Sequence, residues 1–170
     1  FRHDGRPCEY CEGVGWGDQA TPTPPDTRER VADARNAYQI VSMLEGAVQR
    51  GTGRRLRALD RPLAGKTGTT NDNRDTWFIG FSPDLVVGVF VGFDDPTPLG
   101  DRETGSRTAL PIFQSFMGAV LDGAPRTPFR IPPGVWLVRI NAETGDPAAP
   151  GDSNVILEAF IPGSEPRGQR

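Results

Sequence analysis

The six residues Gly65-Lys66-Thr67-Gly68-Thr69-Thr70 have the types needed to hold a carboxylate beside an acyl-transfer centre. A lysine ammonium brings a fixed positive charge and several donors, and threonine hydroxyls can donate to a carboxylate in strong, charge-assisted hydrogen bonds. Gly68 has no Cβ, so another extended backbone can approach the strand edge and pair with it. Backbone N–H groups just beyond that glycine would point the same way and suit half of an oxyanion hole. Taken alone, Lys66-Thr67-Gly68 reads better as a solvated strand edge with a turn glycine.

Other groups offer weaker chemistry. Gly65-Lys66-Thr67 matches the end of a phosphate loop, but that pattern needs glycine where Asp60 stands, and a helix after the lysine where a turn and a Trp-Phe strand follow. Cys8 and Cys11 have metal or redox spacing and His3 is a candidate third ligand, yet no second pair completes a zinc site, so no metal is expected. A local disulfide and two loop thiols without a role remain equal readings of the cysteine pair. Arg74 and Asp75 are an ion-pair candidate, with solvated turn charges as the default.

The elements that must position the six residues are legible from pattern. Ala34, Ala37, Tyr38, Val41, Leu44, Glu45 and Val48 recur at spacings of three and four, which predicts an amphipathic helix with Asp33 as N-cap and Gly51-Thr52-Gly53 as its stop. Pro62 forces an extended start to the segment carrying Lys66. Three apolar stretches, near 63–70, 75–81 and 85–93, are separated by Asn71-Asp72-Asn73 and Ser82-Pro83-Asp84, which predicts three antiparallel strands joined by tight turns. The third is nearly continuous in Val and Phe, so it is expected to be central and covered on both faces, with Gly88 and Gly92 admitting a helix closely. Trp77, Phe78, Phe81, Phe90 and Phe93 are expected in the sheet core.

A polar loop over 94–105 leads to Ala109, Ile112, Phe113, Phe116, Met117, Val120 and Leu121, again at helical spacing, with Pro111 in the first turn where its missing N–H costs little. Short strands are predicted at 135–140 and within 155–161, in a loosely attached, proline-rich tail. The first thirty residues are dense in glycine and proline and are expected to form a short strand and a surface excursion.

Bulk properties narrow the function classes. A net charge of -3, from 19 Lys+Arg and 22 Asp+Glu spread along the chain, advertises no basic face for nucleic acid or anionic lipid. No apolar run reaches the roughly 18 residues a membrane helix needs, and the start at Phe1-Arg2-His3 reads as a position inside a longer gene product.

The longer block from Gly65 through Asn71-Asp72-Asn73-Arg74-Asp75-Thr76-Trp77-Phe78-Ile79-Gly80-Phe81 to Val87-Gly88-Val89-Phe90-Val91-Gly92-Phe93-Asp94-Asp95 resembles the class A, bifunctional penicillin-binding proteins that polymerise and cross-link peptidoglycan. Gln49-Arg50-Gly51-Thr52-Gly53, Ala109-Leu110-Pro111-Ile112-Phe113 and Phe129-Arg130-Ile131-Pro132-Pro133-Gly134 look similar to the same family, and the resemblance runs from about Asp33 to Pro166. In such proteins a Lys-Thr-Gly triplet accompanies Ser-x-x-Lys and a Ser-x-Asn-type motif. The resemblance implies that Lys66 supports the charge network of the site. It implies that Thr67 and Thr69 bind the substrate or β-lactam carboxylate, that Gly68 and Thr70 complete the substrate-binding stretch, and that the Thr69 N–H joins the oxyanion hole, which makes Lys66 and Thr69 the catalytic candidates.

The departure from that family is equally plain. Ser42, Ser82, Ser106, Ser115, Ser153 and Ser164 are followed at the third place by residues other than lysine, and no Ser-x-Asn occurs. The expected fold is therefore an α+β fragment of a transpeptidase, an antiparallel sheet of at least three strands packed by helices near 34–50 and 107–122. It divides into an irregular segment 1–32, a core fragment 33–124 and a tail 125–170. The chain is expected to supply one wall of a D,D-transpeptidase site while the remainder of the transpeptidase domain contributes the serine, so that the chain by itself is inactive. Peptidoglycan stem peptides and β-lactams are the implied ligands, no cofactor is called for, and the implied location is the periplasmic or extracytoplasmic face of a bacterial inner membrane, reached through a membrane segment absent from this chain. The rival reading is a non-catalytic cell-envelope interaction module using the same strand edge and the proline-rich tail.

Overall fold

The computed structural model describes residues 29–167. The first strand and excursion expected before Thr27, together with His3, Cys8 and Cys11, lie outside the described residues. The described residues from Ala32 onward cluster as one compact unit.

Helix α1, Ala34–Gln49, starts where the pattern puts it: Asp33 is extended and its side chain accepts the Arg35 N–H. That contact and the Arg35 guanidinium, which lies 2.8 Å from the carboxylate, hold the Asp33 carboxyl well below the usual carboxylate range. At the other end Gly53 N–H bonds back to the Ala47 carbonyl and closes the helix. The basic stretch that follows is a six-residue 3₁₀ helix, Arg54–Leu59, which turns Leu56 into the core.

Strands β1 (Ala64–Thr69), β2 (Asp75–Phe81) and β3 (Val86–Gly92) form an antiparallel sheet in sequence order. The first turn uses left-handed conformations at Asp72 and Asn73, which Asn and Asp tolerate better than other residues with a side chain. In the second, the Ser82 N–H donates to the Leu85 carbonyl and Ser82 Oγ accepts the Leu85 N–H. Helix α2, Ala109–Val120, covers one face of the sheet. The core between them consists of Val48, Leu56, Leu63, Phe78, Ala109, Leu110, Phe113 and Met117. Phe78 and Phe113 meet at its centre with ring centroids 4.7 Å apart. Each fully buried Leu or Phe contributes about 1.5–3 kcal/mol by leaving water.

Several expectations are corrected. The apolar strand 85–93 is not central among the described residues: β3 pairs with β2 alone, and β2 is the middle strand. Its burial alternates, Val87, Val89 and Val91 packing on the core while Val86 and Phe90 remain 70% and 50% exposed. Among the described residues no helix sits against Gly88 or Gly92. A Cβ at Gly88 would meet Ile79, and one at Gly92 would meet Asp75 and Phe90. Of the five aromatics assigned to the core only Phe78 is there; Trp77 and Phe90 stack on each other on the open face, Phe93 is exposed, and Phe81 meets Phe129 edge-on.

The tail also differs from expectation. Strands β4 (Trp136–Asn141) and β5 (Val155–Phe160) pair as a second, two-stranded sheet, and this ribbon is tied to α1. Gln39 Nε2 donates to the Ala159 carbonyl at 3.1 Å, Ser42 Oγ donates to Glu158 at 2.9 Å, and Arg50 lies 3.6 Å from the same carboxylate. The contacts are long-range in sequence, which is why proline content alone suggested a loose segment.

Candidate active site

β1 carries the candidate residues along an edge of the sheet, paired among the described residues with β2 on one side only. Alternation puts Lys66 and Gly68 on the face they share with Trp77, Ile79 and Phe90, and Thr67 and Thr69 on the face they share with Thr76 and Phe78. The backbone adds a third direction. Thr70 N–H donates to the Asp75 carbonyl at 3.0 Å, which marks that pair as hydrogen-bonded. Bonded and non-bonded pairs alternate in an antiparallel ladder, so the amides of Lys66 and Gly68 face β2 and those of Thr67 and Thr69 face the free edge.

Around that edge the side chains are organised. Lys66 is exposed, and its Nζ donates to the Thr67 carbonyl at 3.0 Å and reaches Thr67 Oγ1 at 3.4 Å. Thr67 Oγ1 shares a 3.0 Å hydrogen bond with Thr52 Oγ1, from the glycine-flanked loop that ends α1. Thr69 Oγ1 accepts the N–H of Gly105 at 3.1 Å. Thr70 Oγ1 accepts the Asp75 N–H at 2.8 Å, so this hydroxyl serves the turn. A Cβ on Gly68 would lie 3.2 Å from Trp77 Cβ, a tight approach that favours glycine there. Arg74 does not pair with Asp75; its guanidinium lies 3.4 Å from Asp72, with both side chains exposed.

Sequence reading thus finds the strand and misses its supports. Thr52 was taken only as part of a helix stop and Gly105 only as loop, because the bonds they make bridge 15 and 36 residues and leave no local periodicity. The turn is held in the same long-range way. Asn73 accepts the Leu99 N–H through its carbonyl at 2.9 Å and donates from Nδ2 to the Gly100 carbonyl at 3.1 Å. No group of three or more metal-ligating side chains occurs among the described residues.

Lys66, Thr67 and Thr69 thus lie along an edge that has no strand partner among the described residues, with the Thr67 and Thr69 amides facing outward, and likeness to known proteins places this chain in a family. The family described as penicillin binding protein transpeptidase domain matches residues 10–118. The chain belongs to this family. It is 50% identical over 137 residues to penicillin-binding protein 1A of Pseudomonas aeruginosa, covering 80% of this chain and 17% of that protein. With penicillin-binding protein 1A of Rickettsia conorii it shares 41% identity over 162 residues, 94% of this chain and 20% of that protein. The crystal structure of penicillin-binding protein 1A from Haemophilus influenzae superposes with a TM-score of 0.73 at 33% identity, over 83% of this chain and 22% of that one. The chain therefore spans about a fifth of the length of these relatives and is an α+β fragment of a penicillin-binding protein transpeptidase domain. No helix among the described residues is long and apolar enough to cross a membrane.

Proposed function

We propose that this chain supplies the Lys-Thr-Gly wall of a peptidoglycan D,D-transpeptidase site, with the serine nucleophile carried by another part of the transpeptidase domain. The observation that carries the reading is the edge of β1 that has no strand partner among the described residues, along which Lys66, Thr67 and Thr69 lie while the Thr67 and Thr69 amides face outward. In the proposed reaction, the serine oxygen attacks the carbonyl carbon of the penultimate D-Ala of a stem peptide. The negative charge that develops on the carbonyl oxygen is met by the Thr69 N–H, a donor already fixed in place. The C–N bond then breaks, the terminal D-Ala leaves as a protonated amine, and an ester to the serine remains. An amine of a neighbouring stem peptide attacks that ester, forms the cross-link and returns the serine its proton. A β-lactam enters the same way, but its leaving nitrogen stays tethered.

In this reading Lys66 supplies the positive potential, Thr67 and Thr69 hydroxyls hold the terminal carboxylate, and Gly68 lets the peptide backbone lie close. As the resemblance to bifunctional members implies, the intact protein would also polymerise glycan strands, and would work at the periplasmic face of the inner membrane. The test uses the intact protein and a fluorescent penicillin, with the labelled peptide located by mass spectrometry. The label is expected on a serine outside residues 1–170, and a label on any serine of this chain refutes the assignment. Lys66→Ala should slow acylation roughly 10- to 100-fold, the range for losing a hydrogen bond to a charged group, and Thr67→Val less. An unchanged rate in both would remove the wall from the site.

A further inference from the structure

We infer that Gly105 is a positioning residue for the acyl-transfer wall: its backbone N–H fixes the rotamer of Thr69 and leaves the Thr69 proton as a donor toward the ligand carboxylate. This rests on the reading of β1 given above and adds to it a role for the loop between β3 and α2.

Gly105 is buried, and a buried N–H needs an acceptor. It has one in Thr69 Oγ1, at 3.1 Å. A threonine hydroxyl has one proton and two lone pairs. Accepting the Gly105 N–H occupies a lone pair, so the proton is left to be donated elsewhere, and Thr69 is an exposed residue on the open strand. A β-branched side chain has few χ1 choices, so a single bond to Oγ1 suffices to hold it.

The glycine is required by contact. A Cβ at position 105 would stand 2.5 Å from the Trp77 carbonyl oxygen and 2.6 Å from that of Gly68, both backbone atoms of the paired strands that cannot swing aside. The loop lies directly on the β1–β2 ladder, and its ends are held too. Asn73 binds it at Leu99 and Gly100, while Gly105 O accepts the Leu110 N–H at 2.8 Å and the Thr76 and Thr108 hydroxyls share a bond at the start of α2. The strap is thus fastened to the turn on one side and to the core helix on the other, with the Thr69 contact between.

The experiment uses the intact transpeptidase and compares acylation by benzylpenicillin with acylation by its methyl ester, which lacks the carboxylate charge. The ratio of the two rate constants reports carboxylate recognition and is insensitive to the amount of folded protein. Gly105→Ala is expected to lower this ratio about three- to tenfold, the range for a single hydrogen bond. In a Thr69→Val background the same change should leave the ratio where Thr69→Val puts it, because the two act through one hydroxyl. Should Gly105→Ala fail to fold, glycolic acid at position 105 removes the N–H without adding an atom, and it too should lower the ratio. An unchanged ratio in the glycolate protein, beside a lowered one in Thr69→Val, overturns the role of Gly105 and leaves the wall intact. An unchanged ratio in Thr69→Val itself overturns both.

Discussion

Replacing Gly80 by alanine tests whether the aromatic pair under the sheet is packed as tightly as described. Gly80 is buried one residue before the end of β2, and an added Cβ would lie 2.7 Å from Phe113 Cζ and 2.7 Å from Phe78 Cε1. Carbon atoms pack at about 3.5–4.0 Å, so each ring would have to retreat by roughly 1 Å within a fully buried cluster. Inserting a methyl group into such a core costs about 1–3 kcal/mol. At about 2–4 °C for each kcal/mol, the temperature at which the intact protein loses half its penicillin labelling should fall by roughly 2–12 °C. Phe113→Leu removes Cζ, one of the two colliding atoms, and supplies the control. It destabilises by opening a cavity, yet Gly80→Ala should cost less in its background than alone. A fall of less than about 1 °C in Gly80→Ala, or strict additivity with Phe113→Leu, would refute the packing described.

Three further outcomes are expected. Thr52→Val should lower the acylation rate of the intact protein about two- to tenfold by removing the hydroxyl partner of Thr67, with Thr52→Ser restoring most of it. Glu158→Ala should loosen the β4–β5 ribbon by about 1.5–3 kcal/mol, the range for a hydrogen bond to a charged group, because Ser42 and Arg50 lose their shared partner; faster amide exchange across Trp136–Asn141 would show it. Burial raises the Glu45 carboxyl above its ordinary range, so the folded state holds that proton more tightly than the unfolded chain. Its contribution is then most favourable below the ordinary glutamate range and declines as the pH rises through the raised value, so Glu45→Gln should increase stability at neutral pH and flatten that part of the pH profile.

What could be read in advance follows the range of the interactions. The Asp33 cap, the two tight turns and the β1–β2–β3 order are local, and residue types announce them. The cover of β3 is not local. Val86 and Phe90 are apolar like Val87 and Val89, so the continuous run predicts cover on both faces, and the run alone cannot say that Val86 and Phe90 are the exposed ones among the described residues. On the proposed reading the second cover belongs to the remainder of the transpeptidase domain, which explains why Trp77 and Ile79 share that open face. The site divides in the same way. Lys66, Thr67 and Thr69 are legible as candidates because their types suit the proposed chemistry, whereas Thr52, Asn73 and Gly105 make long-range bonds that no local pattern announces. The ribbon's attachment to α1, through Gln39 and Ser42, was hidden for that reason as well.

The outer rim of β3 bears on how the chain behaves when uncovered. Among the described residues the backbone groups on that side of Val86–Gly92 have no strand partner, and the seven residues contain no charge or proline that would discourage another strand from adding. Asp84 stands before this rim and Asp94-Asp95 after it, the positions from which charged residues limit the growth of an aggregating strand. The unpaired run is therefore bounded by acidic residues at both ends. A strand adding along the apolar run would meet alternating faces, Val87, Val89 and Val91 toward the core and Val86 and Phe90 away from it, and that alternation would set its register.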